Sequence, residues 1–265
     1  MTYFMSKEIY RVLHLTHTDL RYDNRIRKEI EAIENVGLFE VLGIGTFRDE
    51  KAKASNRNLK SKIIYLKIFS NILPKSIRIF YYFFYLIEIN LRFLFFCIKY
   101  KPKIVHCHDT MILPCGYLYK LMFKKVKLVY DAHELESNKS GQNIVLSKVT
   151  YFIEKTAWRQ IDCLITVSNS IIDWYIKEFG MIDSSCIMNS PIGCTDIVSE
   201  NYFREYYKLE KHDKLFLYIG DFAPGRSIEK LLDVFASCES NFHIIFLGFG
   251  TLDFKIQEAC HLYSN

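Results

Sequence analysis

Histidines, carboxylates and arginines in this chain collect at one kind of place, directly behind short apolar runs. After Arg11–Leu15 come Thr16, His17, Thr18 and Asp19, then Asp23 and Arg25. After Ile104–Cys107 come His108 and Asp109, and after Lys127–Tyr130 come Asp131, Ala132, His133 and Glu134. Ser168 and Asn169 follow Cys163–Val167, and Gly220, Asp221, Pro224, Gly225 and Arg226 follow Leu215–Ile219. An imidazole beside a carboxylate can move a proton or steady a developing charge. A glycine turn that runs into a helix offers free N–H groups and the positive end of the helix dipole to an anion, and an arginine there adds a bidentate charge. Gly220 to Arg226, ahead of the helix-period stretch Ile228–Cys238, has that form. A solvated arginine at a helix start is the competing reading of Arg226. Any one polar strand end is ordinary; five in succession point to a functional cleft.

The apolar runs themselves, with Val41–Ile44 as a further one, read as buried parallel strands, and His243–Leu247 is the last. Helix-period stretches separate them. Arg25–Val36 carries Ile26, Ile30 and Ile33 on one face; Leu113–Phe123, Ile144–Arg159, Ser170–Phe179 and Ile228–Cys238 are the others. The alternation predicts an α/β fold, with helices on both faces of a parallel sheet. In such a sheet ligands bind beyond the carboxyl ends of the strands, which is where the polar residues fall. Phe47–Lys62 reads as a polar, basic loop, and Asn71–Lys75, with Pro74, breaks the chain before an aromatic helix. Pro191 and Gly193 open a polar stretch that predicts a domain boundary. The expected division is 8–195 for the first domain, 196–212 for a linker and 213–265 for part of a second.

Half of the 265 residues are hydrophobic and a quarter are charged, enough for a packed core and too apolar for wholesale disorder. The net charge of +5 is unevenly placed: thirteen Lys or Arg fall between Arg48 and Lys103 against three acids, so the rest of the chain is net acidic. Such a patch suits an anionic surface or ligand. No aromatic–basic RNA-binding motif accompanies it, which argues against nucleic acid. Of the eight cysteines none forms a C-x-x-C pair, and the expectation is buried, reduced thiols. In His106-Cys107-His108-Asp109 successive side chains point to opposite faces of a strand, so the four cannot ligate one ion, and no metal site is expected. Ile77–Ile98 is the most apolar segment, but Arg78, Glu88, Asn90 and Arg92 interrupt it, so it reads as a core or interfacial helix and not a span. Met1–Tyr10 lacks the pattern of a signal peptide.

Taken in order, Ile104-Val-His-Cys-His-Asp109, Leu128-Val-Tyr-Asp-Ala-His-Glu134, Leu164-Ile-Thr-Val-Ser168, Tyr218-Ile-Gly220 with Pro224-Gly-Arg226, and Leu247-Gly-Phe-Gly250 resemble the GT-B glycosyltransferases of family 4, in particular members with a D-A-H-E segment. The resemblance covers roughly residues 10–255. It implies a retaining transferase with two Rossmann-like domains. The first would take the acceptor, a glycan or a lipid-linked sugar, and the second a UDP- or GDP-sugar donor, with no cofactor. It assigns His108 and Asp109 to the reacting sugar, and Asp131, His133 and Glu134 to the D-A-H-E segment. A histidine at a strand end also serves by hydrogen-bonding the neighbouring loop, so a structural role for that segment stays open. Asp19 and Arg25 match the acceptor side. Ser168, Gly220 and Arg226 match the donor side, Arg226 at the diphosphate. No D-x-D occurs in the chain, which favours the metal-independent class, where helix dipoles and basic residues hold the diphosphate.

Ser227 stands where the family commonly has glycine. The family's E-x7-E segment would fall beyond Asn265, so the expectation is a C-terminally truncated transferase. Alone it would have little activity, and a second chain could complete its second domain. A different reading is a non-catalytic subunit that docks on a membrane or a partner through the basic, aromatic region 48–103. Either way the expected location is cytoplasmic, with peripheral contact at the inner face of the cell membrane. A dinucleotide-binding dehydrogenase fails because Thr16-His-Thr-Asp stands where a G-x-G-x-x-G turn would be needed.

Overall fold

The computed structural model describes residues 10–47, 60–72, 78–139, 143–190 and 201–263. The expected loop over Phe47–Lys62 lies largely outside the described residues, as do Pro74 and the first part of the expected linker. By internal contacts the chain forms two units, Met1–Ser190 and Pro191–Asn265. The stretch 201–212 carries a short helix, Tyr202–Tyr206, and belongs to the second unit.

The first unit is built on seven parallel strands. These are β1 (Tyr10–Leu15), β2 (Phe39–Thr46), β3 (Lys62–Leu66), β4 (Ile104–His108), β5 (Lys127–Ala132), β6 (Cys163–Thr166) and β7 (Ser184–Cys186), in the spatial order β3-β2-β1-β4-β5-β6-β7. β3 and β7 are the edge strands that no apolar run announced. β7 is three polar or small residues long, and β3 begins on a lysine in the basic segment.

Helix α1 (Asn24–Val36) starts where the Asp23 carboxylate accepts the Ile26 N–H and ends at Gly37, whose φ of 68° only glycine adopts without cost. The other helices of this unit are α2 (Arg78–Tyr100), α3 (Leu113–Met122), α4 (Ile144–Ala157) and α5 (Asn169–Phe179). Two apolar clusters cover the two faces of the sheet. Val41 and Leu42 are adjacent on β2, point opposite ways, and belong to different clusters. Leu20, Ile26, Ile30 and Val41 form the α1 face. Leu13, Leu15, Val105, Cys107, Leu128 and Tyr130 pack on the other face against Phe93 of α2, Tyr119 of α3 and Tyr175 of α5. Each fully buried Leu, Ile or Phe contributes about 1.5–3 kcal/mol relative to exposure.

The aromatic helix α2 divides its side chains. Ile89, Phe93 and Cys97 are buried, while Phe83, Leu91 and Phe95 are each more than half exposed. Its Tyr81–Tyr100 stretch is long and apolar enough to cross a membrane by length and composition, although its charged residues had argued against a span. Cys97, Cys107 and Cys115 are buried thiols as expected, but Cys186 and Cys260 are exposed. The first ends an edge strand, and the second lies on an outer helix face.

The second unit holds a parallel pair, β8 (Lys214–Asp221) and β9 (Phe242–Phe249), with α6 (Tyr202–Tyr206), α7 (Ile228–Ala236) and α8 (Asp253–Leu262). Its core is small: Phe222, Ile228, Leu252 and Ile256. The strands approach closely at Gly248, where a Cβ would lie 1.9 Å from the Gly220 carbonyl oxygen. Ile219, Leu247 and Phe249 remain exposed. Ser227, at the N-cap of α7, has φ 59° and ψ 24° and makes no side-chain cap bond. That left-handed conformation explains why glycine suits the position. Ser227→Gly is expected to stabilise the second unit by roughly 0.5–1 kcal/mol, because relief of the strain outweighs the added freedom of the unfolded chain. Hydrogen exchange of the β8 and β9 amides should slow, and faster exchange in the variant would contradict the gain.

Candidate functional site

The sheet order turns back between β1 and β4. β1 leads outward to β2 and β3, and β4 leads the other way to β5, β6 and β7. At such a switch point the loops beyond the strand ends diverge and leave a crevice. The pairs His14↔His106 and Leu15↔Cys107 bring the end of β1 beside the end of β4, and His108↔Asp131 brings β4 beside β5. Four of the residues singled out in the sequence, His108, Asp109, Asp131 and His133, therefore meet here, and α1 delivers a fifth, Arg25.

Asp131 is the hub. Its side chain is fully buried and accepts four hydrogen bonds. Arg25 donates through Nε at 3.1 Å and Nη2 at 2.7 Å, His108 through Nδ1 at 3.1 Å and His133 through Nε2 at 3.1 Å. Burial opposes the ionisation of Asp131, but the bonds from His108, His133 and Arg25 outweigh it and hold the carboxyl far below the usual carboxylate range. The Arg25 guanidinium is only 5% exposed, and its Nη1 also donates to the Ile187 carbonyl at 2.6 Å. The structure thus places Arg25 in an internal ion pair that ties α1 to β5 and the segment after β7.

Because His108 Nδ1 donates to Asp131, its Nε2 is free to accept, and His14 Nδ1 donates to it at 3.0 Å. His133 is the half-open member of the group, 20% exposed. Burial lowers its basicity, but the hydrogen bond to Asp131 and the charges of Asp109 and Asp131 raise it to about 9, so it is an imidazolium at neutral pH. Asp109 turns the chain from β4 toward α3 in a left-handed conformation, φ 64°, rare for a residue with a side chain. Its carboxylate lies 3.5 Å from His17 Nδ1 and 3.6 Å from His133 Nδ1. Glu134 follows His133 and is exposed.

Glu136 is buried beyond Asp109. Burial and the nearby Asp109 charge push its carboxyl up to about 8, against the pull of Lys139 at 2.8 Å. The site thus offers one imidazolium, one neutral carboxyl and two carboxylates in close succession, a set able to hold polar hydroxyls and exchange protons at neutral pH.

The remaining singled-out residues belong to other loops of the first unit or to the second unit. Asp19 is buried in the loop after β1, where Arg21 donates to it through its backbone N–H at 3.1 Å and through Nε and Nη2 at 2.9 and 2.5 Å. Ser168 caps α5 by accepting the Ile171 N–H and shares a hydrogen bond with Ser170. Gly220 and Arg226 belong to the second unit. There Arg226 is exposed at the turn before α7, and its backbone N–H donates to the Ala223 carbonyl. The sequence reading did not single out His14, His17, Glu29, His106, Glu136 or Lys139 as site residues. For two of them a signal existed: His106 and His108 are two apart on a strand, and Glu29 follows Arg25 by one helical turn.

Parallel order, switch point and second βα unit define the GT-B class. The profile of Glycosyltransferase Family 4 matches residues 39–188, more than half of the chain, and the chain belongs to that family. Among curated protein sequences none matches it. Among solved structures it is similar to sucrose-phosphate synthase from Thermosynechococcus elongatus at 13% identity and a TM-score of 0.64, over 89% of this chain and 62% of that one. It is similar to the lipopolysaccharide outer core galactosyltransferase WaaB at 16% identity and a TM-score of 0.59, over 95% of this chain and 64% of that one. Starch synthase IV from Arabidopsis thaliana gives 11% identity and a TM-score of 0.58, over 97% of this chain and 71% of that one. The chain spans less than two thirds of the first two. A UDP-N-acetylglucosamine 2-epimerase from Listeria monocytogenes, at 11% identity and a TM-score of 0.55, shares the fold too, so the likeness speaks for fold and leaves chemistry to the site.

Proposed function

We propose that this chain is the acceptor side and the beginning of the donor side of a retaining, metal-independent glycosyltransferase. The reaction moves a sugar from a UDP- or GDP-sugar to a glycan or lipid-linked acceptor. The observation that carries the reading is the convergence of His108, Asp109, Asp131, His133 and Arg25 at the switch point of the sheet. The fold neighbours include starch synthase IV bound to ADP and an E. coli protein bound with UDP-2-fluoro glucose, which supports a nucleotide-sugar donor here. His133, the accessible member of the group, and the exposed Glu134 next to it would orient the sugar and acceptor hydroxyls. The amides at the start of α7, with Arg226 beside them, would hold the diphosphate without a metal ion.

Titration with UDP and GDP tests the donor side. Micromolar to millimolar binding is expected, and Arg226→Ala should weaken it by about 10- to 100-fold, the worth of a charge-assisted hydrogen bond. Equal binding by the variant would move the diphosphate elsewhere. Ile219, Leu247 and Phe249 are exposed on the second unit, and we propose that further polypeptide, in the same or a second chain, covers them in the active enzyme.

The α2 surface favours a second property, peripheral contact with the inner face of the cell membrane from the cytoplasm. It would serve a transferase or a non-catalytic subunit equally. Phe83, Leu91 and Phe95 form an exposed apolar strip, and Lys99, Lys101 and Lys103 follow at its end, a combination that suits an anionic interface. The chain is expected to float with vesicles containing phosphatidylglycerol and to release at high salt. Phe83→Ser with Leu91→Ser and Phe95→Ser should abolish flotation, and flotation unchanged in that variant would remove α2 as the contact.

A further inference from the structure

On the α1 face of the sheet, beside the Asp131 hub, three imidazoles and a carboxyl face one another. His14 comes from β1, His106 and His108 from β4, and Glu29 from α1. The register sets His14 beside His106, and period-two alternation sets His108 on the same side as His106. Cys107 is excluded by that same alternation, and Asp109, in the left-handed turn after β4, faces His17 and His133 instead. Neighbouring elements supply the other donors, β1 through His14 and α1 through Glu29. One nitrogen or oxygen from each of the four side chains lies within 4.8 Å of the others. Glu29 Oε2 is 3.8 Å from His106 Nε2 and 3.9 Å from His108 Nδ1. The His106 and His108 rings stack at 4.2 Å and His14 lies 4.6 Å from His106.

The hydrogen bonding of this cluster is incomplete. His14 Nε2, His106 Nε2 and both Glu29 carboxyl oxygens are buried and have no hydrogen-bond partner among the described residues. Arg25 Nε approaches Glu29 Oε1 at 3.3 Å as an ion pair without an aligned bond. Buried polar atoms are nearly always partnered, so four bare ones on three residues of one cluster call for a ligand.

We propose that His14, Glu29, His106 and His108 bind one zinc ion inside the first unit. Three imidazoles and a carboxylate suit Zn²⁺ better than Mg²⁺ or Ca²⁺, which take oxygen donors. Tetrahedral zinc needs its donors roughly 3.4 Å apart, so small side-chain rotations draw the four inward. His108 keeps its Nδ1 on Asp131, the kind of carboxylate support that metal-bound imidazoles usually have, and gives its Nε2 to the ion in place of the bond from His14 Nδ1. Glu29, 11% exposed where the imidazoles are at most 5% exposed, marks the side from which the ion enters. The ion ties β1, β4 and α1 together and fixes the His108 end of the Asp131 network. It lies wholly within the first unit and leaves the handling of the donor diphosphate unchanged.

The full chain, purified without a histidine tag and reloaded with Zn²⁺, is expected to retain about one equivalent by elemental analysis, as a closed four-donor site would. X-ray absorption at the zinc edge should show nitrogen and oxygen neighbours with the outer pattern of imidazole rings. Failure to retain zinc, or sulfur among its neighbours, overturns the proposal. His14→Gln with His106→Gln should weaken zinc binding at least about tenfold, beyond the usual loss from a mere supporting partner, while His133→Gln should keep it. The reverse pattern would place the ion on His108, Asp131 and His133, which also come within 4.8 Å of one another, and would overturn the assignment. If the double variant fails to fold, the absorption spectrum of the unaltered chain decides.

Discussion

Asp131→Asn is expected to lower the stability of the first unit by about 3–5 kcal/mol, the typical consequence of removing one partner from a buried ion pair. The asparagine would match the shape of the carboxylate but not its charge. Arg25 would then remain 5% exposed with a guanidinium that cannot lose its proton, and the His108 and His133 N–H groups would lose their strongest acceptor. Urea unfolding followed by tryptophan fluorescence reads this unit alone, because both tryptophans, Trp158 and Trp174, belong to it. Trp158 is buried and stacks on Tyr175 at 5.5 Å, so its emission should shift on unfolding. A loss under about 1 kcal/mol would mean that water reaches Arg25, as it does in exposed pairs.

The same experiment separates charge from shape. Arg25→Met combined with Asp131→Asn removes the stranded cation, and most of the lost stability should return, since an apolar side chain can replace a buried charge at little cost. Function need not return with it. Without the Asp131 charge, His133 loses the bond that keeps it an imidazolium. Glycosyl transfer, where it can be measured, should stay depressed in the double variant although the fold has recovered.

What was legible in the sequence follows a physical line. Long buried strands and amphipathic helices announce themselves because burial imposes a period, so β1, β2, β4, β5, β6, β8 and β9 lie where apolar runs predict them. Edge strands feel no such pressure. Ser184–Cys186 is half in water, and its residues satisfy the ladder without being hydrophobic. The site was legible residue by residue but not in its bonding. Arg25 reads as a free cation until α1 is seen to lay it on Asp131, 106 positions away in the chain. His14 and His106 read as core positions of strands, and only the β1–β4 register makes them neighbours of Glu29. Asp19 offered a carboxylate to the acceptor side, yet the turn at Arg21 occupies it.

Glu136 sets how the first unit answers to pH. Its folded carboxyl titrates at about 8, raised first by burial and then by the Asp109 charge, against about 4.3 in an unfolded chain. The native state therefore holds this proton more tightly than the unfolded state. Its contribution is fully present below about pH 4.3 and is lost as the pH rises through 8, a change on the order of 5 kcal/mol. His133 adds to the same trend, since its folded value of about 9 lies above the unfolded value and its contribution fades as the pH climbs through that range. Asp131 acts in the opposite sense, but only in strong acid, because its pKa is depressed. Burial lowers the basicity of His14, His17 and His106, so these act in the opposite sense up to about pH 7, where the unfolded imidazoles have lost their protons. Stability by urea unfolding should thus fall from pH 7 to pH 8.5. Glu136→Gln, which imitates the protonated carboxyl, should be close to the unaltered chain at pH 5 and more stable at pH 8.5. The slope that remains in the variant should belong to His133 and to Glu29, whose carboxyl burial raises to about 7, and should shrink further in Glu136→Gln with His133→Gln. A parallel loss in the unaltered chain and in Glu136→Gln would show that this carboxyl is already ionised at neutral pH, held by Lys139, and that the proton near Asp109 resides on another group.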